Sequence, residues 1–350
     1  VEITTDFYPS GEHLFVLEQE AEEMITASEE PLEQYQVLLP GPYNYQLSEK
    51  NICVLDIASY KINKQKSVGP TEILKIDQAV RTSFGLKHRS GSMIQPWYSA
   101  KYGNNTTVRG VVTMNFEFQV ADIPRDTVYL GIERPEYFNI KLNGYPIVSE
   151  SKGWWVDPSI KKVVIPEKAI ILGKNSLELT VNFSEDKNLE ALYLIGNFGV
   201  QLNGTTKILT HLPGQIKTGD LAIQGFPFYT GCVTYKIPIS GKFAPHDQLI
   251  FTAPKFEAAY IKIHSPDHAP RMIAWQPYTV NVTADLQKNN YLLVDVVLTR
   301  RNSFGPLHAL PLRVGAYGPE NFTTSGGSFS KDYQLIPSGL LSEPFISVRQ

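Results

Sequence analysis

Ten short segments of alternating, β-branched or aromatic residues constrain this chain more than any other feature, at 108–120, 127–132, 138–142, 161–165, 176–183, 232–239, 248–252, 259–264, 278–282 and 291–299. Gly, Pro, Asn or Asp closes each of them. Side chains on a strand alternate between its two faces, so a segment patterned in this way buries one face and leaves the other to polar groups. Strands spaced by roughly 10–15 residues, with almost no helical pattern between them, predict an all-β protein of packed sheets and exclude βαβ units. One helix interrupts the series. Ile73, Ile76, Val80 and Phe84 recur at helical spacing between Pro70 and Gly85, predicting a helix over 71–86. The acidic run 18–23 has helix propensity but follows strand-like residues 14–17, and both readings of it stay open.

The strands repeat. Residues 109–143 align without a gap on 230–264, matching Gly110, Val112, Thr113, Asp126, Glu136, Ile140 and Lys141 to Gly231, Val233, Thr234, Asp247, Glu257, Ile261 and Lys262. Further on Trp155 falls against Trp275 and Asn188 against Asn302. The expected architecture is therefore two tandem jelly-roll β-sandwiches with an N-terminal connecting segment containing one helix. The expected boundaries are 1–70 for that segment, 71–198 and 199–318 for the sandwiches, and 319–350 for a C-terminal tail.

Composition narrows the function classes. With 32 Lys and Arg against 35 Asp and Glu in 350 residues, the net charge of −3 gives no footprint for nucleic acid or an anionic membrane. No stretch approaches the roughly 18 apolar residues of a membrane helix, and no signal peptide is expected in these residues. Two cysteines, Cys53 and Cys232, exclude a disulfide scaffold and read as buried thiols. The chain begins at Val1 within patterned sequence, which reads as a processed protein or a piece of a longer one.

The run Gly225-Phe226-Pro227-Phe228-Tyr229-Thr230-Gly231-Cys232-Val233-Thr234-Tyr235 resembles the opening strand of sugar-binding jelly-roll domains in large bacterial glycoside hydrolases. Trp275-Gln276-Pro277-Tyr278 and Asn302-Ser303-Phe304-Gly305-Pro306-Leu307-His308 do so as well. The group is the α-L-rhamnosidase-like hydrolases, whose domains are similar to the family-two sugar-binding domain and the galactose-binding fold. Asn51-Ile52-Cys53-Val54-Leu55-Asp56 and Gln95-Pro96-Trp97 look like the segment joining the catalytic barrel to these domains. The resemblance, over residues 10–315, implies carbohydrate as partner and an extracellular or periplasmic bacterial setting. It implies as well a catalytic domain elsewhere in the same polypeptide. A (β/α)₈ barrel takes about 250 residues of alternating strand and helix, which this chain lacks, so the expectation is an ancillary, non-catalytic region.

Sugars are held by stacking the C–H face of the ring on an aromatic side chain while amides and charged groups take the hydroxyls. The candidates are Trp154, Trp155, Asn188, Tyr229, Trp275, Arg300, Arg301, Asn302 and His308. Trp155 and Trp275 read equally as structural residues at the sandwich ends, whereas Trp154 has no repeat counterpart and reads as a platform. The loop 299–308 gathers Arg300, Arg301, Asn302 and His308 around a Gly305-Pro306 turn, where each side chain could also merely cap the turn or lie solvated. His264, Asp267 and His268 are metal-ligand types, but Pro266 breaks the helical spacing such a site would need, and a hairpin tip is the safer reading. No Asp-rich loop singles out a structural calcium site, and no cofactor is expected. The carboxylates Glu133, Glu136 and Asp157 could form a hydrolytic pair, though nothing in the sequence pairs them. Two other readings stand beside the sugar-binding one: a glycoside hydrolase in its own right, and a purely structural brace.

Overall fold

The computed structural model describes residues 32–89, 96–103, 105–264, 269–312, 318 and 321–350. The acidic run 18–23 and its neighbours, Gln95, Asp267 and His268 lie outside the described residues. The protein is all-β, two sandwiches of mainly antiparallel sheets.

The first sandwich is built on the long strand Gly110–Val120, whose residues Val112, Met114, Phe116, Phe118 and Val120 point into the core while Glu117 and Gln119 face out. It pairs along its whole length with Gly173–Phe183, which pairs in turn with Phe138–Leu142 and then Tyr145–Ile147. Its other edge is shared by Ile57–Ile62 and, in parallel, Thr206–Thr210. The facing sheet runs Ser151–Trp155, Asp157–Ile165, Val128–Glu133, Leu192–Gly196 and Asn51–Leu55. In the second sandwich one sheet runs Asn44–Leu47, Cys232–Pro238, Tyr291–Val297, Tyr260–Ile263 and Arg271–Ile273, and the other runs Glu33–Leu38, Phe345–Arg349, Gln248–Thr252 and Thr279–Asn281.

The repeat is visible in this order. Gly110–Val120, Gly173–Phe183, Phe138–Leu142 and Tyr145–Ile147 stand in the same succession as Cys232–Pro238, Tyr291–Val297, Tyr260–Ile263 and Arg271–Ile273. The expected boundaries, however, do not follow the pairing. Asn51–Leu55, Ile57–Ile62 and Val68–Glu72 belong to the first sandwich, as do Gly199–Asn203 and Thr206–Thr210. Glu33–Leu38 and Asn44–Leu47 belong to the second, and the supposed tail supplies Phe345–Arg349 between Glu33–Leu38 and Gln248–Thr252. The first sandwich is thus inserted into the second, because each sheet closes on strands that lie far apart in the chain.

The helix forms at Ile73–Ser83, inside the expected span. Thr71 and Glu72 pair instead as strand with Ala58 and Ile57. Glu72 then caps the helix, its carboxylate accepting hydrogen bonds from the amides of Leu74 at 2.9 Å and Lys75 at 3.2 Å. Ile73, Ile76 and Val80 face the core, and Asp77 and Arg81 form a buried ion pair of 2.8 Å one turn apart. Both cysteines are free, Cys53 buried and Cys232 half-buried. Among the described residues no helix is long and apolar enough to cross a membrane, and no group of His, Cys, Asp or Glu is arranged to hold a metal ion.

Candidate functional site

The smaller sheet of the first sandwich has two faces. Val128, Leu130 and Ile132 point into the core, so Tyr129, Gly131 and Glu133 point away from it. Register carries that outer face across the sheet. Ile160 lies opposite Glu133, Tyr193 opposite Gly131, and Val54 opposite Tyr193. Glu133, Ile160, Tyr193 and Val54 form the floor of a cleft of about 260 Å³. Its walls are the capping residue Glu72 with Ile73 and Leu74, the pair Glu190 and Ala191, the loop Ser303 to Ala309, and Phe322 with Thr323.

The loop reaches the floor through Phe304, whose ring sits 5.3 Å from Trp155 and 5.6 Å from Tyr193, with Trp155 and Tyr193 5.0 Å apart. Gly305 lets it fold back, since a Cβ there would lie 2.5 Å from the Arg301 carbonyl oxygen. Three aromatic rings thus close one end of the cleft.

At the other end a buried charge network is centred on Asp56. It accepts from His308 Nε2 at 3.1 Å and the Tyr333 hydroxyl at 2.5 Å, with Lys207 Nζ at 3.6 Å. Burial works to raise the Asp56 carboxyl, but the His308 bond, Lys207 and Tyr333 outweigh it and hold the group below its usual range. His308 Nδ1 lies 3.0 Å from the Ser330 carbonyl. Both imidazole nitrogens therefore face acceptors, as an imidazolium requires. Burial opposes that charge, and the Asp56 bond overcomes it to raise the His308 pKa. Burial also pushes Glu72 up to about 7, against the two amides that bond it and in step with the nearby Asp56 charge.

The remaining acids divide cleanly. Glu190 is paired with Arg89 at 2.5 Å. Glu133 has no hydrogen bond or ion pair among the described residues; burial and the charges of Glu190 and Asp157 raise its pKa, with Arg89 opposing. The Tyr193 residue is 8% exposed, and its hydroxyl has no hydrogen-bond partner among the described residues. Burial, then the charges of Glu190, Asp56 and Glu133, raise its pKa, which places the phenol oxygen among the acids of the cleft.

Of the nine sugar-binding candidates only His308 lines this cleft, while Trp155 backs its aromatic end, and of the three weighed carboxylates Glu133 lies on its floor. Trp155 is 6% exposed, whereas Trp275 is 62% exposed, so the two positions equated by the repeat occupy different environments. Trp154, 53% exposed, stands on the edge strand Ser151–Trp155 outside the cleft. Asn188 accepts from Arg81 at 3.4 Å, and the Tyr229 hydroxyl is buried on the Cys232 carbonyl at 2.8 Å. Arg300 is paired with Glu49 and bonds Thr230 at 3.2 Å. Arg301 is buried against the Pro306 carbonyl at 3.2 Å. Asn302 is buried in a two-way bond with the backbone of Ile336, at 2.8 and 3.0 Å. These five polar side chains tie the chain together. His264 bonds Asp295 at 2.7 Å, beside Lys262 and Thr234 on the same carboxylate. Of the weighed carboxylates, Glu136 pairs on the surface with Arg134 and Asp157 caps its own turn at Ser159.

Glu72, Glu190, Tyr193 and Phe304 carry the cleft without having been singled out. An aromatic or acidic residue at a strand or helix end gives no sign of which distant segment will cover it.

No family model matches the chain, and no curated protein matches it. Solved structures do. A β-D-mannosidase from Dictyoglomus thermophilum is 11% identical at a TM-score of 0.29, the match covering 76% of this chain and 33% of that one. A rhamnosidase from Novosphingobium sp. PP1Y is 14% identical at a TM-score of 0.26, covering 67% and 23%. A β-glucuronidase from Ruminococcus gnavus is 9% identical at a TM-score of 0.22, covering 73% and 39%. All three are glycoside hydrolases, and the chain spans well under half the length of each.

Proposed function

We propose that the chain is a non-catalytic, carbohydrate-binding and scaffolding region of a bacterial glycoside hydrolase, holding one sugar residue in the cleft over Glu133, Ile160 and Tyr193. The observation that carries this reading is the make-up of the cleft. About 260 Å³ lies between aromatic rings at one end and the Asp56 network at the other, with Glu133 and Tyr193 on the floor. Rings supply an apolar platform, and Glu72, Glu133 and the Tyr193 hydroxyl supply acceptors and a donor for sugar hydroxyls. The volume falls below the roughly 300–1,000 Å³ typical of sites for drug-sized ligands, so a single ring and not an oligosaccharide is the occupant. One ring with a few hydrogen bonds binds at about 1 mM.

Calorimetric titration of the whole chain with methyl glycosides of glucose, mannose and rhamnose tests the reading. At least one is expected to bind in the range of about 0.5–10 mM, and Phe304→Ala to weaken it several-fold. If none binds up to about 50 mM, the sandwiches are braces and the cleft is a packing defect between them.

A further inference from the structure

The charges of the cleft say more about its ligand. Four carboxylates line it, and each except Glu133 is already provided for. Asp56 has His308, Lys207 and Tyr333; Glu190 has Arg89; Glu72 has the helix amides. Glu133 stands half-buried on the floor with no ion pair and no hydrogen bond among the described residues, the nearby Arg89 being bonded to Glu190 and Asp77. Beside it on the same face Tyr193, a residue only 8% exposed, lines the cleft with its hydroxyl also without a partner among the described residues. A partly buried carboxylate without a direct ion pair is unfavourable, and a ligand that brings a cation onto it lowers that cost. A phenol that lines the cleft with nothing to bond is likewise completed by a ligand hydroxyl.

Resting on the sugar-binding reading, we propose that the occupant is an amino sugar, its ammonium seated on Glu133 and a ring hydroxyl on the Tyr193 phenol. No basic side chain lines the cleft except His308, which is held by Asp56 and Ser330. Uronic acids are therefore repelled, neutral sugars tolerated and protonated amines drawn in. A charge-assisted bond from ammonium to carboxylate is about twice as strong as a neutral one, which sets the preference.

Titration of the whole chain at about pH 6.5, where a sugar amine is protonated, separates these ligands. Three probes share one ring: D-glucosamine, N-acetyl-D-glucosamine and methyl β-D-glucopyranoside. Glucosamine is expected to bind at least about ten-fold tighter than the two neutral rings. Glu133→Gln is expected to bring the three within about two-fold of one another, by weakening glucosamine several-fold more than the two neutral rings. Tyr193→Phe is expected to weaken all three. Equal binding of the three probes by the unaltered chain overturns the amino-sugar assignment while leaving the sugar site standing, and needs no variant to fold. A preference that survives Glu133→Gln overturns the assignment of Glu133. Failure of every probe to bind overturns the sugar site and this inference together.

Discussion

Two carboxylates in one cleft respond to their surroundings in opposite directions. Asp56 is pulled below its ordinary 3.8 by bonds that only the ionised form can accept, so the stability it contributes is present above that value and is lost as pH falls through the folded pKa. Removing one member of such a buried network leaves the others uncompensated, and Asp56→Asn is expected to cost about 3–5 kcal/mol, measured by urea unfolding at neutral pH. Glu72 is raised from 4.5 to about 7. The folded state holds that proton more tightly than the unfolded chain, so stability is greatest below about 4.5 and declines as pH rises to about 7. The decline is on the order of 2–3 kcal/mol. Glu72→Gln should flatten unfolding free energy over that interval. A slope unchanged by the substitution would show that Glu72 titrates normally. His308 adds a decline of the same sign, lost as pH rises through its raised pKa.

Loops and strands differ in how much of them can be read in advance. The strands Phe138–Leu142 and Gln248–Thr252 fall where alternation put them, because period two is a local property. The helix begins two residues later than its pattern suggests because Thr71 and Glu72 find partners in Ala58 and Ile57. The loop 299–308 was legible as a turn cluster, but its polar residues Arg301 and Asn302 face inward, and the side chain that builds the site is Phe304. Nothing local distinguishes an aromatic that packs on Trp155 from one that packs anywhere else. At this scale Gly305→Ala is expected to displace the loop, since the new Cβ meets Arg301 backbone at 2.5 Å. The cost should be about 1–3 kcal/mol, with sugar affinity falling alongside. Thermal melts and titration of one sample would check both.

For the whole molecule, the internal repeat foretold two copies of one sandwich but not which chain segments complete them. Glu33–Leu38 pairs with Phe345–Arg349, and no pattern within either strand names a partner some three hundred residues away. Ile346 and Val348 are fully buried in the second core. Truncation before Phe345 is expected to unfold the second sandwich and leave the first protected, which hydrogen exchange resolved by segment would show; a uniform loss of protection would mean that the two are a single cooperative unit. The same nesting governs birth of the chain. Translation proceeds at about 5–20 residues per second, so Glu33–Leu38 waits on the order of tens of seconds for the strand that covers its edge. During that time the inserted sandwich can finish folding, while the host displays bare strands of a half-built sheet outside the ribosome. In that interval the unpaired edge of a nascent chain of this design lies in its opening strands, not in the cleft.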